Sequence, residues 1–218
     1  MLSPFYLFTG DYAEFREYFR SFPHQRKFFR AGEQLWESGN PQGLTHYIIT
    51  GTAVVYAVHE EGHRKIICFH GPDTVYPGPH RPDYRLEQSM VTEALTDMEV
   101  MEFLPEHYAE ILESNHDLGT RMVEWYGAFC NLLLFETVHQ NYNSALVKLC
   151  NLLLILDRDL SSMEVTQNEL ADILGMSRVQ VARELKKLRD EGIVATSRGK
   201  LRVIDMEGLE KNCSAEVL

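Results

Sequence analysis

The pattern of hydrophobic and polar positions divides the chain into a β-rich first part and a helical second part. Between Phe28 and Phe103, short apolar stretches alternate with turn residues, a texture typical of a β-sandwich or barrel. The segment HYIITGTAVVYAVHEEGHRKIICFH (46–70) places two β-rich stretches around the turn HEEG and predicts a hairpin. The Pro- and Gly-rich segment HGPDTVYPGPHRPDY (70–84) predicts an irregular loop inserted in this β-rich part.

A long helix is predicted between Asn115 and His139, where apolar residues recur in alternating steps of four and three. These residues are Leu118, Met122, Trp125, Phe129 and Leu132. Heptad spacing of this kind places them in one stripe, which either packs on its own domain or forms the seam of a homodimer. We favour the dimer seam, because the segment WYGAFCNLLLF (125–135) is apolar almost all round and such a helix needs partners on two sides.

Two closely spaced helices are predicted after Thr166. Thr166 with Glu169, and Ser177 with Gln180, both fit the capping-box pattern, in which two residues three apart satisfy each other's backbone N–H groups. Gly175 between them suits the left-handed geometry that ends a helix abruptly. A short helix, a turn containing glycine and a second helix with a basic start are typical of a helix-turn-helix. The alternative is an ordinary three-helix bundle with a hairpin.

The expected DNA contacts lie on this pair of helices and on the segment IVATSRGKLRVID (193–205), which predicts a hairpin that would act as a wing. Arginine can make a bidentate contact to guanine in the major groove, and a basic hairpin tip would lie near phosphates. The candidate DNA-binding residues are Thr166, Ser177, Arg178, Val179, Gln180, Arg183, Lys186, Arg198 and Lys200.

The charge distribution favours nucleic-acid contact in one part of the chain only. The whole chain carries a formal net charge of −11, which by itself argues against a nucleic-acid partner. The segment 164–202, however, holds eight Lys or Arg residues against six Asp or Glu residues. A basic C-terminal region is therefore attached to an acidic body.

Other classes of function are disfavoured by what the sequence lacks. Apolar runs such as LLLF and LLLIL are far too short to cross a bilayer, and no signal peptide is evident, so we expect a cytoplasmic protein without a membrane partner. The four cysteines form no C-x-x-C pair and the histidines form no His-x-His pair. We therefore expect no metal site and no catalytic residues, and we do not expect an enzyme.

From about Phe28 to Asp205 the chain resembles the Crp–Fnr superfamily of bacterial transcription regulators. The resemblance is strongest in VTQNELADILGMSRVQVARELKKLRDEGIV (165–194), and HYIITGTAVVY (46–56) is similar to the family's sensor strands. It implies an α+β fold with three parts. These are an N-terminal double-stranded β-helix (cupin-like jelly roll) sensor domain at 1–114, a dimerisation helix at 115–140 and a C-terminal winged helix-turn-helix at 141–218.

The resemblance also implies partners and a mechanism. The protein would be a homodimer that binds a palindromic operator in double-stranded DNA under the control of a small-molecule effector, and an activator would also contact RNA polymerase. The family commonly shows Ser-Arg-Glu-x-x-x-Arg in the recognition helix. Ser177, Arg178 and Arg183 match this pattern, but Val179 replaces the glutamate. We therefore expect a different half-site, with a thymine methyl group against Val179.

Departures from the family pattern bear on the effector. Members that bind cyclic nucleotides hold the phosphate with an Arg-Ser pair. They hold the ribose with a glutamate that lies ten residues before the arginine of this pair. Here the corresponding residues are Gln88, Ser89 and Gly78, so we do not expect cyclic AMP. The oxygen-sensing branch needs an N-terminal cysteine cluster, which is missing, so we do not expect an iron–sulfur cluster either.

Two effector classes stay open. The layout is similar to that of the halorespiration branch, which implies an organic effector bound between the β domain and the long helix. The candidate effector-binding residues are Tyr76, Gly78, His80, Tyr84, Gln88, Ser89, Trp125 and Phe129. The alternative is a haem-based sensor of carbon monoxide or nitric oxide, with His70 and His80 as candidate ligands.

Overall fold

The structure is a computed structural model that describes residues 4–36, 43–78, 90–159, 165–197, 200–215 and 217–218. The chain forms two compact units. One unit, here called the β unit, contains Leu7–His63 and Ile67–Gly127, and the other, the helical unit, contains Met1–Tyr6, Arg64–Ile66 and Ala128–Leu218. The expected mixed α+β fold is confirmed.

The β unit is built from two sheets whose strands are mostly antiparallel. Its strands are β1 (Leu7–Phe8), β2 (Gln25–Phe29), β3 (Gln34–Trp36), β4 (Thr45–Thr50), β5 (Ala53–Val58), β6 (Arg64–His70), β7 (Val75–Tyr76), β8 (Met90–Ala94) and β9 (Met98–Phe103). The five-stranded sheet has the order β1-β6-β5-β8-β3, and the four-stranded sheet has the order β2-β9-β4-β7. Strand β1 pairs with β6 in parallel, whereas β2 with β9, β3 with β8, β4 with β7 and β9, and β5 with β8 pair in antiparallel fashion.

Apolar side chains from both sheets meet in a shared core. Ile48 and Val100 come from the four-stranded sheet, whereas Ala53 and Ala94 come from the five-stranded sheet. The turn from β4 to β5 passes through Gly51, whose φ of 86° suits glycine and whose missing Cβ would lie 2.9 Å from the Cα of Met98. The close approach of this turn to Met98 at the start of β9 therefore depends on glycine.

The predicted hairpin of the β-rich part is present, and the predicted loop differs from the expectation because it contains a short strand. The turn HEEG lies between β5 and β6, as expected for the hairpin. The segment predicted as an irregular loop contains the short strand β7, which pairs with β4 through Tyr47 and Val75. Residues 79–84 of that segment lie outside the described residues.

Helices account for most of the rest of the chain. They are α1 (Arg16–Arg20), α2 (Pro105–Glu113), α3 (His116–Tyr142), α4 (Ala145–Asp159), α5 (Gln167–Leu174), α6 (Arg178–Asp190) and α7 (Met206–Glu210). A hairpin of β10 (Val194–Ser197) and β11 (Lys200–Val203) follows α6. Helix α4 is buried along most of its length and packs against α5, α6 and α7. Among the described residues, none of the helices has the length and apolar content needed to cross a bilayer.

Candidate functional site

Both capping boxes predicted from the sequence form at the starts of α5 and α6. The Glu169 backbone N–H donates to Thr166 Oγ1 at 3.2 Å, and the Thr166 backbone N–H donates to the Glu169 carboxylate at 2.6 Å. The Gln180 backbone N–H likewise donates to Ser177 Oγ at 3.2 Å, and the Ser177 backbone N–H donates to Gln180 Oε1 at 3.0 Å. These reciprocal bonds satisfy N–H groups that have no partner within a helix.

The turn between the two helices is short because Gly175 takes the left-handed conformation, with φ of 60° and ψ of 33°. The backbone N–H of Met176 then donates to the Ala171 carbonyl at 3.0 Å, which closes the end of α5. Helix α6 begins three residues after Gly175, at Arg178. The turn thus fixes the direction in which α6 leaves α5.

Helix α6 presents a sharply divided surface. Val181, Leu185 and Leu188 are completely buried, which anchors one side of the helix in the core of the helical unit. The other side is exposed and includes the candidate DNA-binding residues Arg178, Val179, Gln180, Arg183 and Lys186. Val179 is 78% exposed, which is unusual for a valine. The structure therefore brings five of the nine candidates onto one open surface.

Glu184 is a residue of this site that the sequence analysis missed. Its side chain is only 2% exposed and accepts hydrogen bonds from Arg183 Nε at 3.0 Å and from Lys187 Nζ at 2.6 Å. Burial opposes ionisation of this carboxyl group, but the two cationic donors lower its pKa below the ordinary value. Glu184 therefore orients the Arg183 guanidinium at the helix surface. Nothing in the sequence distinguishes it from the solvated acids around it.

Three other candidates lie outside α6 in the sequence. Thr166 is exposed and serves as the N-cap of α5. Lys200 begins β11, where it pairs with Ser197 across the hairpin. Arg198 lies outside the described residues.

A second group of candidates surrounds His70 in the β unit. The His70 ring is completely buried, and ring centroids of Tyr76, Phe8 and Trp125 lie 4.7, 5.7 and 5.8 Å from it. Burial lowers the pKa of His70 to about 3, so the imidazole is neutral. Its Nδ1 has no hydrogen-bond partner among the described residues, whereas Nε2 lies 3.5 Å from Cys68 Sγ. Tyr76 and Trp125 are thus close together, as the effector hypothesis requires.

Gly78 lies against helix α3. A Cβ atom at this position would contact the Tyr126 hydroxyl and lie 3.1 Å from Tyr126 Cζ. A longer side chain therefore has no room here unless Tyr126 moves. Phe129 belongs to the helical unit and is half-buried. His80, Tyr84, Gln88 and Ser89 lie outside the described residues, so their part in the effector site stays a prediction.

Comparison with known proteins gives matches over the helix-turn-helix and over most of the chain. A family model for the Crp-like helix-turn-helix domain matches residues 147–212. The cyclic AMP receptor protein of Thermus thermophilus is 24% identical over 195 residues, which is 86% of this chain and 87% of that protein. The transcriptional activator protein FnrL of Cereibacter sphaeroides is 23% identical over 196 residues, which is 83% of this chain and 77% of that protein.

Residues 147–212 therefore match a Crp-like helix-turn-helix domain, and most of the chain is similar to transcription regulators of the Crp–Fnr type. Its fold is also similar to that of CprK solved in complex with OCPA, with a TM-score of 0.72 and 16% identity. That similarity covers 91% of this chain and 92% of CprK.

Burial divides the long helix α3 into two faces. The covered face is Leu118, Met122, Trp125 and Leu132, which are at most 6% exposed within the single chain. These are four of the five residues predicted for the dimer seam, and the fifth, Phe129, is half-buried. Packing on the helix's own chain, the alternative interpretation of the stripe, accounts for their burial.

The opposite side of α3 is the open face, which consists of Val123, Gly127, Cys130, Leu134 and Val138. These residues follow one another in steps of four, three, four and four, which keeps them on one side of a helix. Val123 is 72% exposed and Leu134 is 68% exposed. This second stripe is hard to recognise in the sequence because its apolar residues are interrupted by Gly127 and Cys130.

Proposed function

We propose that the chain is a Crp–Fnr transcription regulator, a homodimer that binds a palindromic operator through α6 and responds to an organic small-molecule effector. The observation that carries the proposal is the open, polar and basic first turn of α6, held by a capped glycine turn. In helix-turn-helix proteins the N-terminal residues of the second helix contact base edges in the major groove. Two such helices, one from each protomer, would read half-sites about 34 Å apart.

The finer architecture follows the same interpretation. The two sheets of the β unit would form the double-stranded β-helix of a sensor domain at 1–114, and α3 would serve as the dimerisation helix at 115–140. The hairpin of β10 and β11 would be the wing of the DNA-binding domain at 141–218, with Arg198 and Lys200 near phosphates. A regulator of this kind acts in the cytoplasm and, as an activator, contacts RNA polymerase.

The exposed side chains of α6 suggest how the operator is read. Arg178 and Arg183 carry the donors that suit guanine, and the contact from Arg183 to Glu184 is made by Nε and not by the terminal nitrogen atoms. Val179 offers a methyl-bearing surface where many family members carry a glutamate. An apolar contact of this kind suits the thymine methyl group, whereas a glutamate suits cytosine.

For the dimer, the structure favours a seam different from the one expected from the sequence. We place it on the open face of α3, because the covered face is already buried by its own chain. A second copy packed on Val123, Leu134 and Val138 would remove an apolar stripe from water. The isologous contact of a two-fold dimer brings the same residues of both helices together, as a single helical stripe allows.

For the effector, an organic molecule near Tyr76 and Trp125 fits the aromatic surroundings of the β unit best. CprK, which has a similar fold, is known in complex with OCPA. The crowding of Gly78 by Tyr126 argues against a ribose contact at this position, which supports the expectation that cyclic AMP is not the effector.

The residues around His70 do not fit haem. His70 offers a neutral imidazole, but the rings of Phe8, Tyr76 and Trp125 already lie against it. Native mass spectrometry of the purified protein separates the two effector classes. A dimer without added mass supports a reversibly bound organic effector, and a dimer carrying the mass of haem contradicts it.

DNA recognition is tested by two substitutions in α6. We expect Arg183→Ala to weaken binding to the duplex that the wild-type protein selects from a randomised pool by roughly 1–3 kcal/mol. Val179→Glu should shift the base selected at one half-site position from thymine to cytosine. The exposed Lys211→Ala, in a residue paired with Glu207, serves as the control and should leave both measurements unchanged. Normal binding by Arg183→Ala would mean that α6 is not the recognition helix.

A further inference from the structure

A buried polar cluster lies at the C-terminal half of α3. Its centre is the Glu136 carboxylate, whose side chain is only 12% exposed. It accepts a hydrogen bond from Lys65 Nζ at 2.6 Å, one from Gln140 Nε2 at 3.2 Å and one from the Tyr6 hydroxyl. All four residues belong to the helical unit. Helix α3 thus carries a carboxylate with three hydrogen-bond donors on its covered side, where apolar packing would otherwise be expected.

Lys65 connects this cluster to the helix-turn-helix. Its ammonium group also donates to the backbone carbonyl of Ile173, in the last turn of α5. Carbonyl groups in the last turn of a helix have no intrahelical partner and carry partial negative charge, so a cation there is favourable. Ile173 lies two residues before Gly175, the turn from which α6 departs. One ammonium group therefore joins α3 to the turn that directs the recognition helix.

The contact between Lys65 and Glu136 is an ion pair, and it is favourable only while the ammonium and carboxylate groups stay close together. Burial alone would raise the pKa of Glu136, but the neighbouring His139 ring and the Lys65 ammonium outweigh it and lower the pKa to about 2. Both partners are charged, and a half-buried ion pair tolerates the loss or displacement of one partner poorly. Arg64 Nε and Asp172 Oδ2, 3.9 Å apart, place a second ion pair beside the first.

The two partners sit on elements that continue into the β unit. Lys65 lies in β6, which runs on to His70, and Glu136 lies in α3, which begins at His116. A displacement of either element along its length would move the ammonium or the carboxylate. Such a displacement would also move the end of α5, because the Lys65 ammonium group contacts both Glu136 in α3 and the Ile173 carbonyl in α5.

We propose that Lys65 and Glu136 are positioning residues for DNA recognition. They hold the C-terminal end of α5, and with it the turn and α6, in one orientation relative to α3. Neither residue contacts DNA, and the effect on binding arises because two recognition helices must match two half-sites at once. The inference rests on the proposed function only in this last step.

The contact itself is tested on the free protein by hydrogen–deuterium exchange. In Lys65→Gln and in Glu136→Gln, we expect amides of residues 170–177 to exchange roughly tenfold faster than in the wild type, because the end of α5 opens more often. In the double variant these amides should exchange no faster than in either single variant, since both substitutions remove the same interaction. Lys65→Arg should retain slow exchange. Unchanged or additive exchange rates would overturn the proposal.

Binding to two DNA duplexes distinguishes a positioning role of Lys65 and Glu136 from a merely structural one. One is the palindromic duplex selected by the wild-type protein, and the other is the same duplex with one half-site scrambled. We expect both variants to bind the palindrome about tenfold more weakly but the single half-site within about twofold of the wild type, because only the palindrome demands a fixed spacing. Parallel weakening on both duplexes would indicate a folding defect and overturn the proposal.

A matched control is available in the β unit. Lys27 and Glu102 also form a lysine–glutamate pair between strand residues, 3.6 Å apart, and Lys27→Gln should change neither measurement. If the wild-type protein shows no preference for the palindrome, the proposed function fails. The exchange experiment then still decides whether Lys65 and Glu136 hold the end of α5.

Discussion

The two faces of α3 share the same helical periodicity but have different surroundings. The covered face, with Leu118 and Trp125, is buried within the single chain, whereas the open face, with Val123 and Leu134, is about as exposed as a surface helix allows. Both follow the steps of three and four that mark a helical stripe. Helical periodicity therefore shows that a face needs a partner, but it does not show whether that partner is the same chain or a second copy.

The largest effect is expected on the covered face. Trp125→Ala should lower the free energy of unfolding by about 3–5 kcal/mol, because it empties a site packed between the rings of Phe8 and His70. Urea denaturation at fixed protein concentration measures this loss. The dimer dissociation constant, from analytical ultracentrifugation, should change by less than about twofold, since Trp125 faces its own chain.

Val123→Ala is the matched control on the open face. Val123 is 72% exposed, so its truncation should change the free energy of unfolding by less than about 0.5 kcal/mol. If Trp125→Ala instead dissociated the dimer and left unfolding unchanged, the assignment of the two faces would be reversed.

The next largest effect is expected at the centre of the open face. Leu134→Glu should weaken the dimer at least about 100-fold, or about 2.8 kcal/mol, because it places two carboxylates in an apolar seam. Sedimentation velocity over a concentration series measures the change. The exposed Leu218→Glu is the control and should remain dimeric. A Leu134→Glu variant that stays fully dimeric at micromolar concentration would exclude this face as the seam.

The helix-turn-helix could be predicted from the sequence almost in full. Its signals are the capping residues Thr166 and Ser177 and the turn residue Gly175, and all three act on atoms within a few residues along the chain. Local rules suffice for such contacts because tertiary packing does not decide them. The exposure of Arg178 and Val179 follows from the same helical register.

The polar cluster could not be predicted in this way. Lys65 and Glu136 are 71 residues apart in sequence, and their contact exists only because a strand and a helix meet in the fold. A single acid in the apolar run LLLFETV is a weak signal, since such residues usually face solvent. The burial of the stripe Leu118–Leu132 within its own chain could not be predicted for the same reason, because burial depends on neighbours that are distant in sequence.

A smaller effect, dependent on pH, is expected from the acid on the covered side of α3. Folding lowers the pKa of Glu136 from its ordinary value of 4.5 to about 2, so its contribution to stability is present above pH 4.5 and is lost as the pH falls towards 2. Glu136→Gln should therefore unfold about 1–3 kcal/mol more easily than the wild type at pH 7, and the difference should shrink below about pH 4.

Urea denaturation at a series of pH values measures this difference. Glu124→Gln is the control, because Glu124 is 61% exposed and its pair with Arg121 should contribute less than about 0.5 kcal/mol. A difference between Glu136→Gln and the wild type that stays constant from pH 7 to pH 3 would mean that the carboxylate charge does not stabilise the fold.

The smallest energetic effect is expected at Cys130. This residue also gives the most direct test of which residues of two protomers lie next to each other. This cysteine is exposed on the open face, one turn before Leu134, whereas Cys150 is buried in the helical unit. In a two-fold seam of parallel helices, Cys130 would face its counterpart in the partner closely enough for a disulfide. Mild oxidation with diamide should therefore give a covalent dimer on a non-reducing gel.

Cys130→Ser should abolish this cross-link and change the dimer dissociation constant by less than about threefold, because the two side chains are nearly the same size. Cys150→Ser should leave the cross-link intact and so serves as the control. A cross-link that persists in Cys130→Ser would come from another cysteine and would place the seam elsewhere. Dimers that form without any cross-link would show that the open faces do not meet at Cys130, which leaves the two faces of α3 to be distinguished by Trp125 and Leu134 alone.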